Sequence, residues 1–496
     1  MDDESRNNAL EKIVGDLDIS PTDFEHSRKR YRAVADWLKG GGYESGNQLD
    51  IYIQGSFRLG TVTRPYRNKA DADYDIDQVC EVNGCSTEAR VLKNDVGNRL
   101  KENGDYERML DDEGRRCWTL IYASQEERPG FHLDVLPSRL GSVHASTKID
   151  ITHKENGAYS WKSSNPRGYY DWFKARNSFS ESTLKSQRAR ILEKNGALYR
   201  SASEVPKQLI RTNLQRSIQL MKRHRDVFFD GKEFSPISII ITTISAHKYS
   251  GAGIYETAAH FCDYVIGRLT KVILGEPLPY DGVLDYSSGC WIILNPADNS
   301  ENFADRWRKQ RERENAFFSW VFALQRSLYT FNVSANFRDL CLASYGGSSP
   351  ADQYPQRMIN KFNGGSVSSN EDFLNLIHLA IEGKVDWPSV NKIAVKNVDD
   401  DQDGTESKDI AWINYYQVRL HAGYGLSADY QDHIRRIREE RGLDRAFMLC
   451  CSLLLGEATV QMLGDCIRQR EGDTVSWPIL RLASKQHTDL AMLPIN

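Results

Sequence analysis

The sequence has no apolar run approaching the roughly 20 residues that a bilayer-spanning helix needs, so a membrane segment is not expected. It also has no CxxC pair. Its nine cysteines are odd in number, and Cys80, Cys85, Cys450, Cys451 and Cys466 find no partners at zinc-site spacing. The thiols read as reduced and mostly core-filling, which excludes a disulfide framework and a zinc module. A basic excess is missing too: 64 Lys and Arg stand against 68 Asp and Glu, a net charge of −4. That argues against a constitutive binder of duplex DNA, though not against a local basic groove. The first residues, MDDESRNN, are acidic and polar, unlike a secretory signal, so the chain is expected in the cytoplasm. There are no internal repeats and no extended low-complexity tract. What remains is a chain of 496 residues, 40% of them hydrophobic, enough for two or three domains with a substantial core.

One stretch organises the rest. From Asp50 to Val82 the chain reads DIYIQGSFRLGTVTRPYRNKADADYDIDQVCEV. Ile51 and Ile53 alternate as in a strand, Gly55-Ser56 predicts a sharp turn, and a second strand carries Asp73, Asp75 and Asp77 at every other position. Three carboxylates on one face repel unless a cation neutralises them, and oxygen-only ligands suit a hard divalent ion, Mg²⁺ before Zn²⁺. The Gly-Ser turn offers backbone N–H groups and a hydroxyl to a phosphate. Asp75 and Asp77 bracket Ile76, which alternation turns toward the core, so these two are favoured as the catalytic pair, with Asp73 in support or facing solvent.

Before this stretch, helices are expected between about 5 and 40, with Ser20-Pro21 as an N-terminal cap. After it come a helix over Thr87–Glu102 and strands over Arg116–Tyr122 and Gly130–Leu136. The second strand carries Asp134 between Leu133 and Val135, a costly place for an unpaired carboxylate. Alone it reads as an Asp bound to a backbone N–H or an Arg; beside Asp75 and Asp77 it reads better as a third metal ligand. Asn165-Pro166 and Arg167-Gly168 mark a turn. A helix is predicted over Val205–Phe228, with Ile210, Leu214, Ile218 and Met221 as its buried stripe. A second is predicted from Ser235-Pro236, with Ser235 as N-cap and Pro236 in the first position. Others are expected over Tyr255–Val272, Glu312–Leu328, Asn370–Ile381, Tyr430–Arg441 and Asp444–Arg470, with a Pro/Asn/Asp loop through NPADNSEN and an acidic loop over Asp399–Asp409.

The chemistry these residues suit is a two-metal nucleotidyl transfer, with Asp75 and Asp77 holding two Mg²⁺ ions, Asp134 sharing one, and Gly55 and Ser56 cradling phosphates. The acidic loop matches the first half of an EF-hand but has Ile410 where the bidentate Glu should be, so it reads as a solvated linker. Lys185, Arg188 and Arg190 read as a solvated face. In KRHR, Lys222 and Arg225 would share one helix face and could clamp a phosphate.

GSFRLGT…DYDID followed by HLDV resembles the nucleotidyltransferases related to cyclic GMP–AMP synthase and oligoadenylate synthetase, and more closely their bacterial anti-phage relatives, the cyclic-oligonucleotide synthases of the CBASS class. The resemblance covers roughly residues 20 to 330. It implies an α+β, bilobed, polymerase-β-like fold: a mixed-sheet lobe with an N-terminal helix over 1–200 and a helical lobe over 201–345 completing the nucleotide site; beyond the resemblance, 346–496 reads from its own pattern as an extra, mostly helical region of unnamed role. It implies that Asp75, Asp77 and Asp134 are the metal triad and Gly55-Ser56 the phosphate turn. By the same resemblance IQLMKRHRD places Lys222 on the donor triphosphate, and SPISIIITT makes Ser235 and Ser238 candidates for the same phosphates. Ile237 stands where the family often has a base-stacking aromatic. The implied activity joins nucleoside triphosphates, ATP among them, into a cyclic di- or trinucleotide that acts on a separate effector. The implied cofactor is a pair of Mg²⁺ ions, with Mn²⁺ as a substitute, and neither a membrane nor direct DNA binding is expected. The alternatives are a linear or group-adding nucleotidyltransferase and a catalytically inactive nucleotide-binding scaffold.

Overall fold

A computed structural model describes residues 3–333, interrupted at 45–47, 69, 85–87, 125–129, 142–146, 178, 180 and 274. Beyond them it describes 385–400, 406–422, 424–441 and 445–458, with 376, 377, 380 and 462. In chain order the first part runs α1 (Asp3–Gly15), α2 (Pro21–Lys39), β1 (Gln48–Gln54), α3 (Gly55–Leu59), β2 (Tyr66–Arg67), β3 (Ala70–Asp71), β4 (Tyr74–Asn83), α4 (Ala89–Lys101) and α5 (Gly104–Met109). It continues β5 (Trp118–Tyr122), β6 (Phe131–Leu140), β7 (Ile149–Glu155), β8 (Ala158–Ser164), α6 (Pro166–Arg176) and α7 (Glu181–Lys194). Then come α8 (Asn213–Phe228), α9 (Ser238–Lys248), α10 (Ile254–Ile273), the hairpins β9 (Asp285–Ser287) with β10 (Cys290–Ile292) and β11 (Leu294–Asn295) with β12 (Asp298–Asn302), and α11 (Arg311–Val333). Four later helices cover Trp387–Asp400, Glu406–His421, Ala428–Arg441 and Arg445–Leu455.

The sheet is mixed and ordered β1-β4-β6-β7-β8, with β5 sharing the far edge of β6 with β7. Strands β4 and β6 run parallel and their other neighbours antiparallel. Alternation along β4 explains the layering. Tyr74, Ile76, Cys80 and Val82 point to one face and are buried against Val34 and Leu38 of α2 and Leu92, Val96 and Leu100 of α4. Gly97 of α4 lets Trp118 pack in: a Cβ there would lie 2.3 Å from the indole ring. The other face carries Asp75 and Asp77 and, further along, Val79 beside Leu136, Ile149 and Ile151. Helices α2 and α4 cover the first face, while Asp75 and Asp77 on the second border the cleft.

A second core gathers α6, α8, α9, α10 and α11, and the four late helices join it through Val390, Ile413, Ile434 and Phe447. Helix α1 packs on this lobe as well, Leu10 and Val14 meeting Leu220 and Ile254, with Arg6 paired to Glu256 at 2.6 Å. The lobes therefore do not divide the chain in simple order: α1 and α6 lie before residue 200 yet pack with the helical lobe.

Several expectations need correcting. Ser20 does cap α2, with Pro21 behind it. The helix expected from Val205 starts later, at Asn213, because Pro206 and two 3₁₀ turns precede it and Thr212 forms a capping box with Gln215. Ser235 is not a cap; α9 begins at Ser238 with Ile237 before it. The Asn165-Pro166 turn is itself the start of α6, Asn165 accepting from the Gly168 N–H at 3.0 Å. Strands β7 and β8 were not expected, and NPADNSEN is the β11–β12 hairpin, not a loop. The acidic segment is bounded by helices that contain Asp399 and Asp409; residues 401–405, most of 370–381 and the end of 444–470 lie outside the described residues. All six described cysteines are free thiols.

The capping box does more than start α8. Gln215 accepts from the Thr212 N–H at 2.8 Å, and its Nε2 donates to the Leu59 carbonyl at 2.7 Å, fastening α8 to the end of α3. Thr212→Ala should therefore cost about 1 kcal/mol, read as a lower midpoint in urea denaturation, while Thr212→Ser should keep the wild-type midpoint.

Candidate active site

Strand register builds the site. Asp77 on β4 stands opposite Asp134 on β6, and Asp75 opposite His132. Parallel partners in register share a face, so the two central carboxylates are forced side by side. On its other flank Asp77 stands opposite Gln54, the last residue of β1, so the turn at Gly55 falls beside it. Gly55 has φ +63°, and a Cβ on it would lie 2.0 Å from Asp77 Oδ2. Only glycine admits both the left-handed backbone and the carboxylate at this point. Gly60 closes α3, also with positive φ, and the Thr61 N–H donates to the Ser56 carbonyl at 3.0 Å.

The carboxylates differ in their surroundings. Asp77 lies at the base of a recess, where burial, then Asp134 and Asp75, raise its pKa to about 7; only Lys222 opposes them. Asp134 is also pushed up, by burial and Asp75, against the hydrogen bond that Thr119 Oγ1 donates to it at 2.6 Å. Thr119 is its cross-strand neighbour on β5. Asp75 is more exposed and leans to His132 Nδ1 at 3.4 Å, while Asp73 stands 4.0 Å from His132 Nε2. Asp71 is bound elsewhere: Arg223 holds it at 2.8 Å and Arg64 at 3.1 Å.

Asp75, Asp77 and Asp134 line one recess of about 320 Å³ with Gly55, Ser56, Lys222 and Ser238. Among the described residues no three His, Cys, Asp or Glu side chains are already closed into a metal cage. Asp75 leans to His132 and Asp134 to Thr119, and the donor set is still the one a hard divalent cation takes: carboxylate oxygens from adjacent strands, with the pKa of Asp77 raised to about 7 by burial and its carboxylate neighbours. The residues fit a divalent ion if Asp75 and Asp134 turn inward.

Positive charge comes from α8. Lys222 is buried, donates to the Thr61 carbonyl at 2.9 Å, and is pushed down to about 8 by burial and then Arg225, against Asp226, Asp75 and Asp77. Arg225, one turn on, donates to Ser238 Oγ at 2.7 Å and to the Pro236 carbonyl at 3.1 Å. The structure thus brings together Gly55, Ser56, the three carboxylates, Lys222 and Ser238. Ser235 instead lines a larger neighbouring chamber, as does the exposed Ile237. Thr119 and His132 were missed as site residues; their positions in register with Asp134 and Asp75 become visible only once the strands are paired. Lys185 and Arg190 are exposed, and Arg188 donates to the Val205 carbonyl at 3.2 Å.

No protein-family model matches the chain. It is 29% identical over 317 residues to the c-di-GMP synthase of Roseivirga ehrenbergii, a match covering 63% of this chain and 76% of that protein. Among solved structures it is similar to the CD-NTase CdnG of Bradyrhizobium diazoefficiens in complex with GTP, at a TM-score of 0.55 and 21% identity over 68% of this chain and 93% of that one. The cyclic AMP-GMP synthase DncV of Vibrio cholerae, in complex with nonhydrolyzable GTP, matches at a TM-score of 0.39 and 16% identity over 69% of this chain and 89% of that one. The likeness to CdnG carries the fold: a mixed-sheet lobe and a helical lobe, as expected from the motifs. No described helix is long and apolar enough to cross a membrane.

The raised Asp77 carboxyl has a measurable consequence. Its unfolded value is near 3.8 and its folded value about 7, so the folded chain holds a proton that the unfolded chain has lost between those limits. The stability this lends is full below the lower value and is lost as pH rises through the upper one. Metal-free Asp77→Asn should therefore melt above the wild type at about pH 8 and alongside it at about pH 4, as read by thermal denaturation in a chelating buffer.

Proposed function

We propose that this chain, a nucleotidyltransferase of the family of cyclic GMP–AMP synthase and the bacterial cyclic-oligonucleotide synthases, joins nucleoside triphosphates into a cyclic di- or trinucleotide. The observation that carries the reading is the register that sets Asp77 beside Asp134 under the Gly55 turn, with Lys222 facing them from the other lobe. A recess with carboxylates on one wall and a buried ammonium on the other supports the reading of a polyphosphate bound with a divalent ion.

In each joining, a ribose hydroxyl of one nucleotide forms a new P–O bond to the α-phosphorus of another. The α–β phosphoanhydride breaks, pyrophosphate leaves, and the hydroxyl proton is lost; a last intramolecular joining closes the ring. Asp75, Asp77 and Asp134 would hold Mg²⁺, or Mn²⁺ in its place. Such an ion, when bound, neutralises charge on the leaving pyrophosphate and acidifies the attacking hydroxyl. The chain's own part is positioning. Lys222 and the Gly55-Ser56 turn grip the donor phosphates, and Arg225 holds Ser238 toward the same recess. Thr119 and His132 orient Asp134 and Asp75. Guanine nucleotides are the first substrates to try, given the name of the Roseivirga relative, with ATP beside them. The product is proposed to act on a separate effector in anti-phage defence, a role that rests on the motif resemblance.

The test is to incubate the purified chain with Mg²⁺ and all four labelled ribonucleoside triphosphates, treat with phosphatase and separate the products. A phosphatase-resistant species is expected, and leaving out one nucleotide at a time names its bases. A phosphatase-sensitive ladder would replace the reading with a linear polymerase. Nucleotide binding without pyrophosphate release would replace it with an inactive scaffold.

Two variants probe the site. Asp75→Ala with Asp77→Ala should abolish turnover, and pyrophosphate release surviving both changes would remove the carboxylates from the chemistry. Lys222→Ala should raise the KM for nucleotide by about tenfold or more and lower kcat less, as for a charge-assisted contact made before the reaction.

A further inference from the structure

Among the described residues three cations line the acidic recess: Lys222, Arg225 and Arg67. Two are already engaged. Lys222 donates to the Thr61 carbonyl, and Arg225 is held by Asp226 and Ser238. Arg67 is exposed and, among the described residues, makes no hydrogen bond or ion pair. An unengaged surface arginine is ordinarily no more than a solvated side chain. This one differs in its mounting. Arg67 ends β2 and stands opposite Ala70 of β3 in a two-stranded ribbon, with Tyr66 opposite Asp71. The ribbon turns at Asn68, which has φ +52°, and the Asn68 N–H donates to Asp230 Oδ1 at 2.7 Å, just past the end of α8. At the base the Ala72 N–H donates to the Pro65 carbonyl at 2.9 Å, and Asp71 is clasped by Arg223 and Arg64. Arg223 also donates to the Arg64 carbonyl at 3.1 Å and lies 4.7 Å from the centre of the Tyr66 ring. Tip and base are thus both fastened to the helix that carries Lys222 and Arg225, or to the residues just beyond it. A guanidinium on a fastened backbone gives up less freedom on meeting an anion than one on a loose loop.

We propose that Arg67 grips the β- and γ-phosphates of the donor nucleotide, the pair that departs as pyrophosphate. The inference rests on the reading of the recess as the site of a donor triphosphate. Charge makes the need. A triphosphate brings several negative charges to a wall that is already carboxylate, and Arg225 is occupied by Asp226, which leaves Lys222 as the engaged cation without an anionic partner of its own at hydrogen-bond distance. When the α–β phosphoanhydride breaks, its electron pair stays on the bridging oxygen, so negative charge on the departing pyrophosphate grows as the new P–O bond forms and the hydroxyl proton is lost. A forked guanidinium at that end stabilises the growing charge more than it does the intact anhydride. Lys222 comes from α8 and Arg67 from the ribbon, so the two cations reach the recess from different elements. Exposure suits the role as well. A contact screened by water breaks readily, and pyrophosphate has to leave before the next joining.

The 2′,3′-dideoxy forms of GTP and ATP lack the hydroxyls needed for joining, so their binding can be read without turnover. Their affinities, with those of GMP, AMP and inorganic pyrophosphate, are measured by calorimetry in Mg²⁺ for the full chain and for Arg67→Gln. The variant should bind the triphosphates and pyrophosphate about tenfold more weakly, the worth of one charge-assisted contact. Its affinity for the monophosphates should match the wild type. An equal loss with the monophosphates would overturn the proposal and make Arg67 structural. Unchanged affinity for triphosphate and pyrophosphate would overturn it too, leaving a solvated side chain. So would a loss with the triphosphates alone, which would move the contact to ribose or base. A wild type that binds neither triphosphate better than its monophosphate would instead remove the reading of the recess as a triphosphate site, and the role of Arg67 with it.

Discussion

The structure turns on two carboxylates forced together in a place where neither is comfortable. Parallel pairing of β4 and β6 sets Asp77 directly beside Asp134, and the sheet gives them no choice of rotamer that separates their backbones. Burial and mutual repulsion hold a proton on Asp77 up to about pH 7. Packing alone does not account for such an arrangement: a core would use apolar residues there, as it does at Ile76 and Leu133 on the opposite face. The uncomfortable pair makes sense as half of a site whose other half is positive charge. The Gly55 turn fits the same account, because a side chain one methyl larger would occupy the space of the Asp77 carboxylate.

The second lobe answers this constraint. Helix α8 brings Lys222 toward the pair and fixes it to the Thr61 carbonyl just beyond the turn. Its first turn is tied to α3 through Gln215, and Gln219 donates to the Val62 carbonyl at 2.8 Å. The helix carrying the ammonium is thus stitched along the loop that the carboxylates adjoin. At the other end of the cleft, Asp298 of the β11–β12 hairpin accepts from Lys148 at 2.6 Å and from Ser163, and Asn165 Nδ2 donates to the Ala297 carbonyl at 2.8 Å. The bonds from Lys148 and Ser163, with those of Ser300, depress Asp298 to about 2, and the contacts of Lys148, Ser163 and Asn165 tie the β7–β8 region to this hairpin. The cleft is therefore fastened at both ends.

Much of this was legible in the chain, because the information was local. The alternation of Asp73, Asp75 and Asp77, the apolar neighbours of Asp134, the Gly-Ser turn and the stripe through Leu214, Ile218 and Met221 each follow from the periodicity of a single element. Ends of helices were read less well: Ser235-Pro236 has the residue types of a cap, yet the backbone turns helical only at Ser238. Strands β7 and β8 escaped because Lys154, Glu155, Lys162 and Ser163 break the apolar pattern: Lys154 pairs with Glu113, while Glu155, Lys162 and Ser163 line the cleft and Ser163 donates to Asp298.

By itself, then, the sequence determined which residues carry charge and which face of its own strand or helix each one occupies, since side-chain direction along a strand or helix is set by backbone geometry. Only the tertiary structure decided which of those faces meet. The pairing of β4 with β6 put Asp134 beside Asp77, β5 brought Thr119 to Asp134, and the packing of α8 on the loop after α3 brought Lys222 within reach. The gathering of Arg116, Lys162 and Arg306 around one chamber belongs to the same class. These residues are far apart in the chain, each an ordinary surface cation in its own segment, and only the tertiary structure brings them to one chamber.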